Sequence, residues 1–96
     1  MVVAMLQVVF ELFDITSIKE KRQIVLSVKD KVRRKFKVSI AEIDLPDSLS
    51  FCHLGVAHVS NSKRLGESVM AKIENFMEEC VPGRLHDSSI NIEIYN

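Results

Sequence analysis

The chain has 96 residues, 47% of them apolar and 27% charged, with 13 Lys/Arg against 13 Asp/Glu and a net charge of zero. These values suit one domain with its own core, residues 1–96, and are those of a globular rather than a disordered chain. Met1–Phe10 is apolar but has no basic flank and is followed by Glu11 and Asp14. It is too short to span a bilayer and reads poorly as a signal peptide, so the sequence predicts a cytoplasmic protein with no membrane partner.

Met1–Phe13 is rich in Val, Leu and Phe and reads as a central strand. One parity, Val2, Ala4, Leu6, Val8, Phe10 and Leu12, is wholly apolar. The other, Val3, Met5, Gln7, Val9, Glu11 and Phe13, is mixed. One face should therefore meet the core and the other should be partly wet.

Ser17 opens a helix, and Glu20 three residues on completes a capping-box pattern. At 100° per residue, Ile18, Ile24, Val25, Val28, Val32 and Phe36 share one arc, the expected buried stripe. Val38–Ile43 is a second strand, stopped by the turn residues Leu45-Pro46-Asp47-Ser48. Phe51–Ser60 is a third, in which Gly55 marks a bulge or a close approach. Asn61-Ser62 offers the next N-cap, and Leu65, Val69, Ile73, Phe76, Met77 and Cys80 form a second helical stripe. Pro82-Gly83 ends that helix. Ile90, Ile92 and Ile94 then alternate with polar residues as a half-buried last strand. The order β-α-β-β-α-β predicts an α+β, ferredoxin-like split fold, with a four-stranded antiparallel sheet and both helices on one face.

Charge is distributed unevenly along this frame. Residues 17–37 hold nine Lys/Arg and two acids, a net of +7, and the remainder holds four Lys/Arg and eleven acids, a net of −7. With Lys19 at zero on the helical wheel, Arg22, Lys29 and Arg33 fall within about 80°, and Arg34 extends the charge around the exposed side. Leu26 lies in the same stripe. Such a stripe can track phosphates, because each one neutralised releases counterions. The plainer reading is a solvated face pairing with nearby acids. Lys31–Lys35 complement the helix dipole, whereas Lys19, Lys21 and Arg22 oppose it at the N-terminus. Lys21 falls inside the apolar arc, so a structural ion pair is the better reading for it, with Glu11, Asp14 or Glu42 as partner.

Elsewhere the sequence offers little chemistry. His53 and His58, five apart in one strand, point to opposite faces, and no Cys or acid cluster stands at metal-ligand spacing, so no metal is expected. Cys52 and Cys80 read as small apolar fillers rather than a disulfide. There is no GxSxG, P-loop, GxGxxG or HExxH, so nothing points to an enzyme or a cofactor. Phe51 and His53 lack the aromatic-glycine-aromatic pattern of sheet-stacking RNA binders. Val3, Met5 and Val9 form an apolar patch on the open sheet face, either covered by a homodimer or an added strand, or shielded by Gln7, Glu11 and their neighbours.

Ser17-Ile18-Lys19-Glu20-Lys21-Arg22, Val38-Ser39-Ile40-Ala41-Glu42 and Leu54-Gly55-Val56-Ala57 resemble, in order and spacing, motifs of the YlxP-like family of small bacterial proteins of unknown function. The resemblance implies a ferredoxin-like fold, no assigned activity, and a gene setting near translation and ribosome maturation. The chain departs from the family pattern at Leu45–Ser50, which carries Pro46 and lacks a tryptophan often found there.

The sequence thus predicts a non-enzymatic binding protein that docks on ribosomal or other structured RNA through Lys19, Lys21, Arg22, Lys29, Arg33 and Arg34. The alternative is a protein–protein interaction or regulatory module that self-associates through its sheet.

Overall fold

A computed structural model describes Met1–Asn96. The elements run β1 (Val2–Leu12), α1 (Ile18–Phe36), β2 (Ser39–Asp44), β3 (Phe51–Ser60), α2 (Lys63–Cys80) and β4 (Gly83–Ile94). They form one sheet in the order β2-β3-β1-β4, and every neighbouring pair is antiparallel. This is the ferredoxin-like arrangement that the element order predicts.

β1 is central because its alternation demands a partner on each edge and a covered face. Val2, Ala4, Leu6, Val8, Phe10 and Leu12 are all buried. All but Val2 join Val25, Val28 and Val32 of α1 and Met70, Ile73 and Met77 of α2 in one core cluster, which places both helices on the same side. Fully burying a side chain of this size stabilises by roughly 1.5–3 kcal/mol, so this layer is the main source of cohesion.

α1 starts as its sequence directs: the Ser17 hydroxyl accepts from the Glu20 backbone N–H at 3.1 Å. The reciprocal half of the capping box is absent, because the Glu20 carboxylate instead accepts from the Thr16 hydroxyl at 3.3 Å. At the other end Lys37 adopts a left-handed φ of 56° and donates its N–H to the Arg33 carbonyl, closing the helix.

Three expectations change. Leu65 is 47% exposed rather than buried. Its neighbour Gly66 takes the inner position, where an added Cβ would stand 2.9 Å from Ala4. The fully buried Met70 completes the α2 stripe in its stead. β4 begins at Gly83, directly behind the helix, rather than near Ser89, and shifts register against β1 between Val9 and Phe10. Ile90 and Ile94 are on the helix side by register but at the sheet edge, where they are 39% and 61% exposed. Of the two readings of Gly55, the close approach holds, and the bulge lies in the adjoining strand, where β2 shifts register between Glu42 and Asp44. There the Ile43 side chain lies over Gly55, within 2.7 Å of where a Cβ would be.

Candidate functional site

The helix that buries Val25, Val28 and Val32 necessarily turns its cationic stripe outward. Lys19, Arg22, Lys31, Arg34, Lys35 and Lys37 are exposed and Lys29 is half-buried. None of these seven lies within 4 Å of a carboxylate; of the nine, only Lys21 and Arg33 do. The positive charge of α1 is therefore not consumed by the protein's own acids. Lys35 lies over the Phe76 ring, its ammonium 4.5 Å from the centroid, a cation–π contact with the second helix.

Two of the six residues predicted to bind RNA have internal duties. Lys21 is only 1% exposed. Its Nζ donates to the Leu45 carbonyl and to the Phe51 carbonyl at 2.8 Å, and lies 3.7 Å from Glu42 Oε2. It pins the two ends of the β2–β3 turn to α1, and so leaves the exposed cationic face. Of the three acids proposed as its partner, Glu42 is the one that meets it. Arg33 is half-exposed: Nη2 donates to the Ile40 carbonyl at 3.0 Å and Nη1 lies 3.8 Å from Asp30. Lys19, Arg22, Lys29 and Arg34 keep the positions the helical wheel assigns them.

Beside this stripe, α1 and the β2–β3 turn enclose a cleft of about 290 Å³, lined by Lys21, Arg22, Leu26, Lys29, Glu42 and Pro46 among others. The helical pattern alone does not define it, because its far wall comes from the turn at Pro46. The signal that could have found it is Leu26, an apolar residue in a row of cations, which is 55% exposed.

The open sheet face has a different character. A shallow cleft of about 350 Å³ runs over Gly55, Ala41 and Ala57 and is flanked by Met5, Gln7 and Ile43. His53 Nε2 and Gln7 Oε1 are 3.0 Å apart. The Phe51 and His86 rings meet at 5.2 Å, next to an Arg84–Glu11 ion pair of 3.1 Å. By register Asp87 and Glu93 also lie on this side, opposite Val9 and Val3. The sheet thus offers few aromatics and several anions, a poor platform for stacking RNA bases.

His53 and His58 pair with Val9 and Ala4 and so face opposite sides of the sheet. His58 Nδ1 is buried without a hydrogen-bond partner. No group of three His, Cys, Asp or Glu side chains is placed to hold a metal ion. Both cysteines are free. Burial pushes the Cys52 thiol up to about 11, with Lys21 opposing and Glu42 reinforcing the shift. No helix is long and apolar enough to cross a membrane.

A designed ferredoxin fold agrees with this architecture. A de novo designed protein with a ferredoxin fold superposes with a TM-score of 0.51 at 16% identity, covering 100% of this chain and 87% of the design. An antibiotic biosynthesis monooxygenase covers 100% of this chain and 99% of its own at a TM-score of 0.46 and 8% identity. Uncharacterized protein YlxP of Bacillus subtilis (strain 168) is 33% identical over 67 residues, which are 70% of this chain and 73% of the relative. The model of the family described as "Protein of unknown function (DUF503)" matches residues 3–90. With nearly the whole chain matched, this protein belongs to the DUF503 family, with YlxP among its relatives.

Proposed function

We propose that the protein is a non-enzymatic RNA-docking module whose contact surface is the exposed face of α1. The observation that supports this most directly is the set of seven cations, six in α1 and Lys37 at its C-cap, without a carboxylate partner. A helix needing charge only for solubility would interleave signs. Here Lys19 and Arg22 stand at the N-terminal end, where positive charge opposes the helix dipole. Lys19, Arg22, Lys29 and Arg34 supply the phosphate contacts, with Arg33 contributing what its bond to Ile40 leaves free. Lys21 acts from inside, by holding the turn. Binding of this kind recognises the backbone of a structured RNA, ribosomal RNA included, through counterion release and Arg–phosphate hydrogen bonds.

The test is co-sedimentation with ribosomes and with purified structured RNA. Charge reversal at Lys19, Arg22, Lys29 and Arg34 removes binding while the thermal transition stays in place, since three are exposed, Lys29 is half-buried and none is ion-paired. Unchanged co-sedimentation by a folded quadruple variant overturns the assignment of α1.

A second reading rests on the sheet. Ile43 and Val59 are 53% and 62% exposed, and the shallow cleft over Gly55 is mostly apolar. A self-associating or protein-binding module would use this face. Light scattering separates the two: a dimer indifferent to salt favours the sheet, and a monomer that binds RNA favours the helix.

A further inference from the structure

Two features of the α1 face are not explained by tracking phosphates. Leu26 projects from the middle of the cationic row and is 55% exposed. Glu42 places a carboxylate in the wall of the same cleft that Arg22 and Lys29 line. Pure backbone binding wants neither: an exposed leucine gains nothing from a phosphate, and a carboxylate repels one.

The two become intelligible together. Leu26 and Pro46 stand as apolar walls on the helix and turn sides, Arg22 and Lys29 line the helix side, and Glu42 lies toward the strand. Lys21 lies 3.7 Å from Glu42 Oε2, so the carboxylate is charge-compensated. Its Oε2 is buried against that lysine with no hydrogen bond. Its Oε1 accepts none from the protein either, and the side chain is 25% exposed. The cleft therefore offers apolar contact, a free acceptor and two cations within about 290 Å³, close to the lower bound of roughly 300 Å³ for small-molecule sites.

We infer that this cleft is a pocket for one unstacked nucleotide, with the base between Leu26 and Pro46, its donor edge on Glu42, and its phosphate on Arg22 and Lys29. The inference rests on the RNA-docking reading and adds base preference to it. An ionised carboxylate is an acceptor only, so it selects a base edge made of donors. Guanine presents two adjacent donors, N1–H and the 2-amino group, whereas adenine and uracil each place an acceptor beside their donor. Asp44 and Asp47 flank Pro46 in the chain and disfavour a phosphate on the turn side, which fixes the orientation of the nucleotide. Contacts of this sort target bases splayed from loops and bulges rather than paired ones.

The experiment uses the full chain and fluorescent RNA hairpins with a seven-nucleotide uridine loop whose central base is guanine, inosine, adenine or uracil. Guanine is expected to bind tightest, about five- to tenfold above adenine, at the low end of base discrimination because both of its donors must share the one open oxygen, Oε1. Inosine, which lacks the 2-amino group, falls between them. Leu26→Ala weakens binding of the guanine hairpin without changing the salt slope, and the exposed position keeps the variant folded. Glu42→Gln removes the guanine preference. Equal affinity for all four hairpins together with an unaffected Leu26→Ala variant overturns the pocket and leaves backbone docking by α1 standing. Failure of every hairpin to bind at low salt overturns both.

Discussion

At the scale of single residues, the informative side chain is Lys21. Its ammonium satisfies two main-chain carbonyls, 24 and 30 residues away in the chain, that bracket the β2–β3 turn. Within that turn Leu45 holds a left-handed φ of 61°, and its N–H is taken by Asp44 Oδ1 at 2.8 Å. Replacing Lys21 by methionine keeps the apolar stem but abandons both carbonyls and the Glu42 carboxylate. We expect a loss of about 3–5 kcal/mol, the usual result of breaking a buried charged contact. Urea denaturation measures it, and a loss below about 1 kcal/mol would mean that the turn does not depend on this pin. Glu42→Leu added to Lys21→Met should recover part of the loss, because it removes the orphaned charge. That Lys21 belongs inside is legible from its place in the apolar arc. Its principal partners are not, because main-chain acceptors have no side-chain signature.

Cys52 yields a prediction with a definite sign. Its thiol is 2% exposed and raised from 9.0 to about 11 by burial. Above about pH 9 the unfolded chain loses this proton while the folded chain retains it. The unfolded state then binds fewer protons, so stability falls as pH rises from about 9 to about 11. The slope attributable to Cys52 approaches 1.4 kcal/mol per pH unit at most. Cys52→Ala should flatten that part of the stability–pH curve, and an unaltered curve would contradict the burial of the thiol.

At the scale of elements, alternation in β1 names the buried residues and the 3.6-residue repeat in α1 names Val25, Val28 and Val32, while Ile18, Ile24 and Phe36 at the rim of the same arc are only half-buried. β4 hides better. Its first half, Arg84–Ser89, is mostly polar, as an edge strand can be when one side has no neighbour and the helices barely cover it. Leu65 misleads for the opposite reason: α2 meets β1 so closely at Gly66 that the smaller residue takes the inner position. Glycine geometry tests the β1–β4 junction. A Cβ at Gly83 would stand 2.0 Å from the Glu11 carbonyl oxygen, whereas at Gly55 it meets only the movable Ile43 side chain. Gly83→Ala should cost roughly 1–3 kcal/mol, as overpacking does, and Gly55→Ala distinctly less. Thermal melts of the two variants compare them directly, and equal losses would contradict the tight entry into β4.

At the scale of the whole molecule, the leading feature is separation of charge in a chain whose net charge is zero. Nine basic residues lie between Ser17 and Lys37. The fold turns seven of them outward or to the cleft without carboxylate partners. The sequence makes the excess legible but not its availability, because pairing depends on which acids the fold brings near. The candidate cleft is hidden for the same reason, as its walls come from residues 22 and 46. The salt dependence of affinity measures the proposed electrostatic docking of α1 on RNA most directly. Engagement of about four phosphates predicts a slope of log K against log salt near −3 to −4, falling toward zero in the quadruple charge-reversal variant. A wild-type slope near zero, or one the variant leaves unchanged, would contradict it.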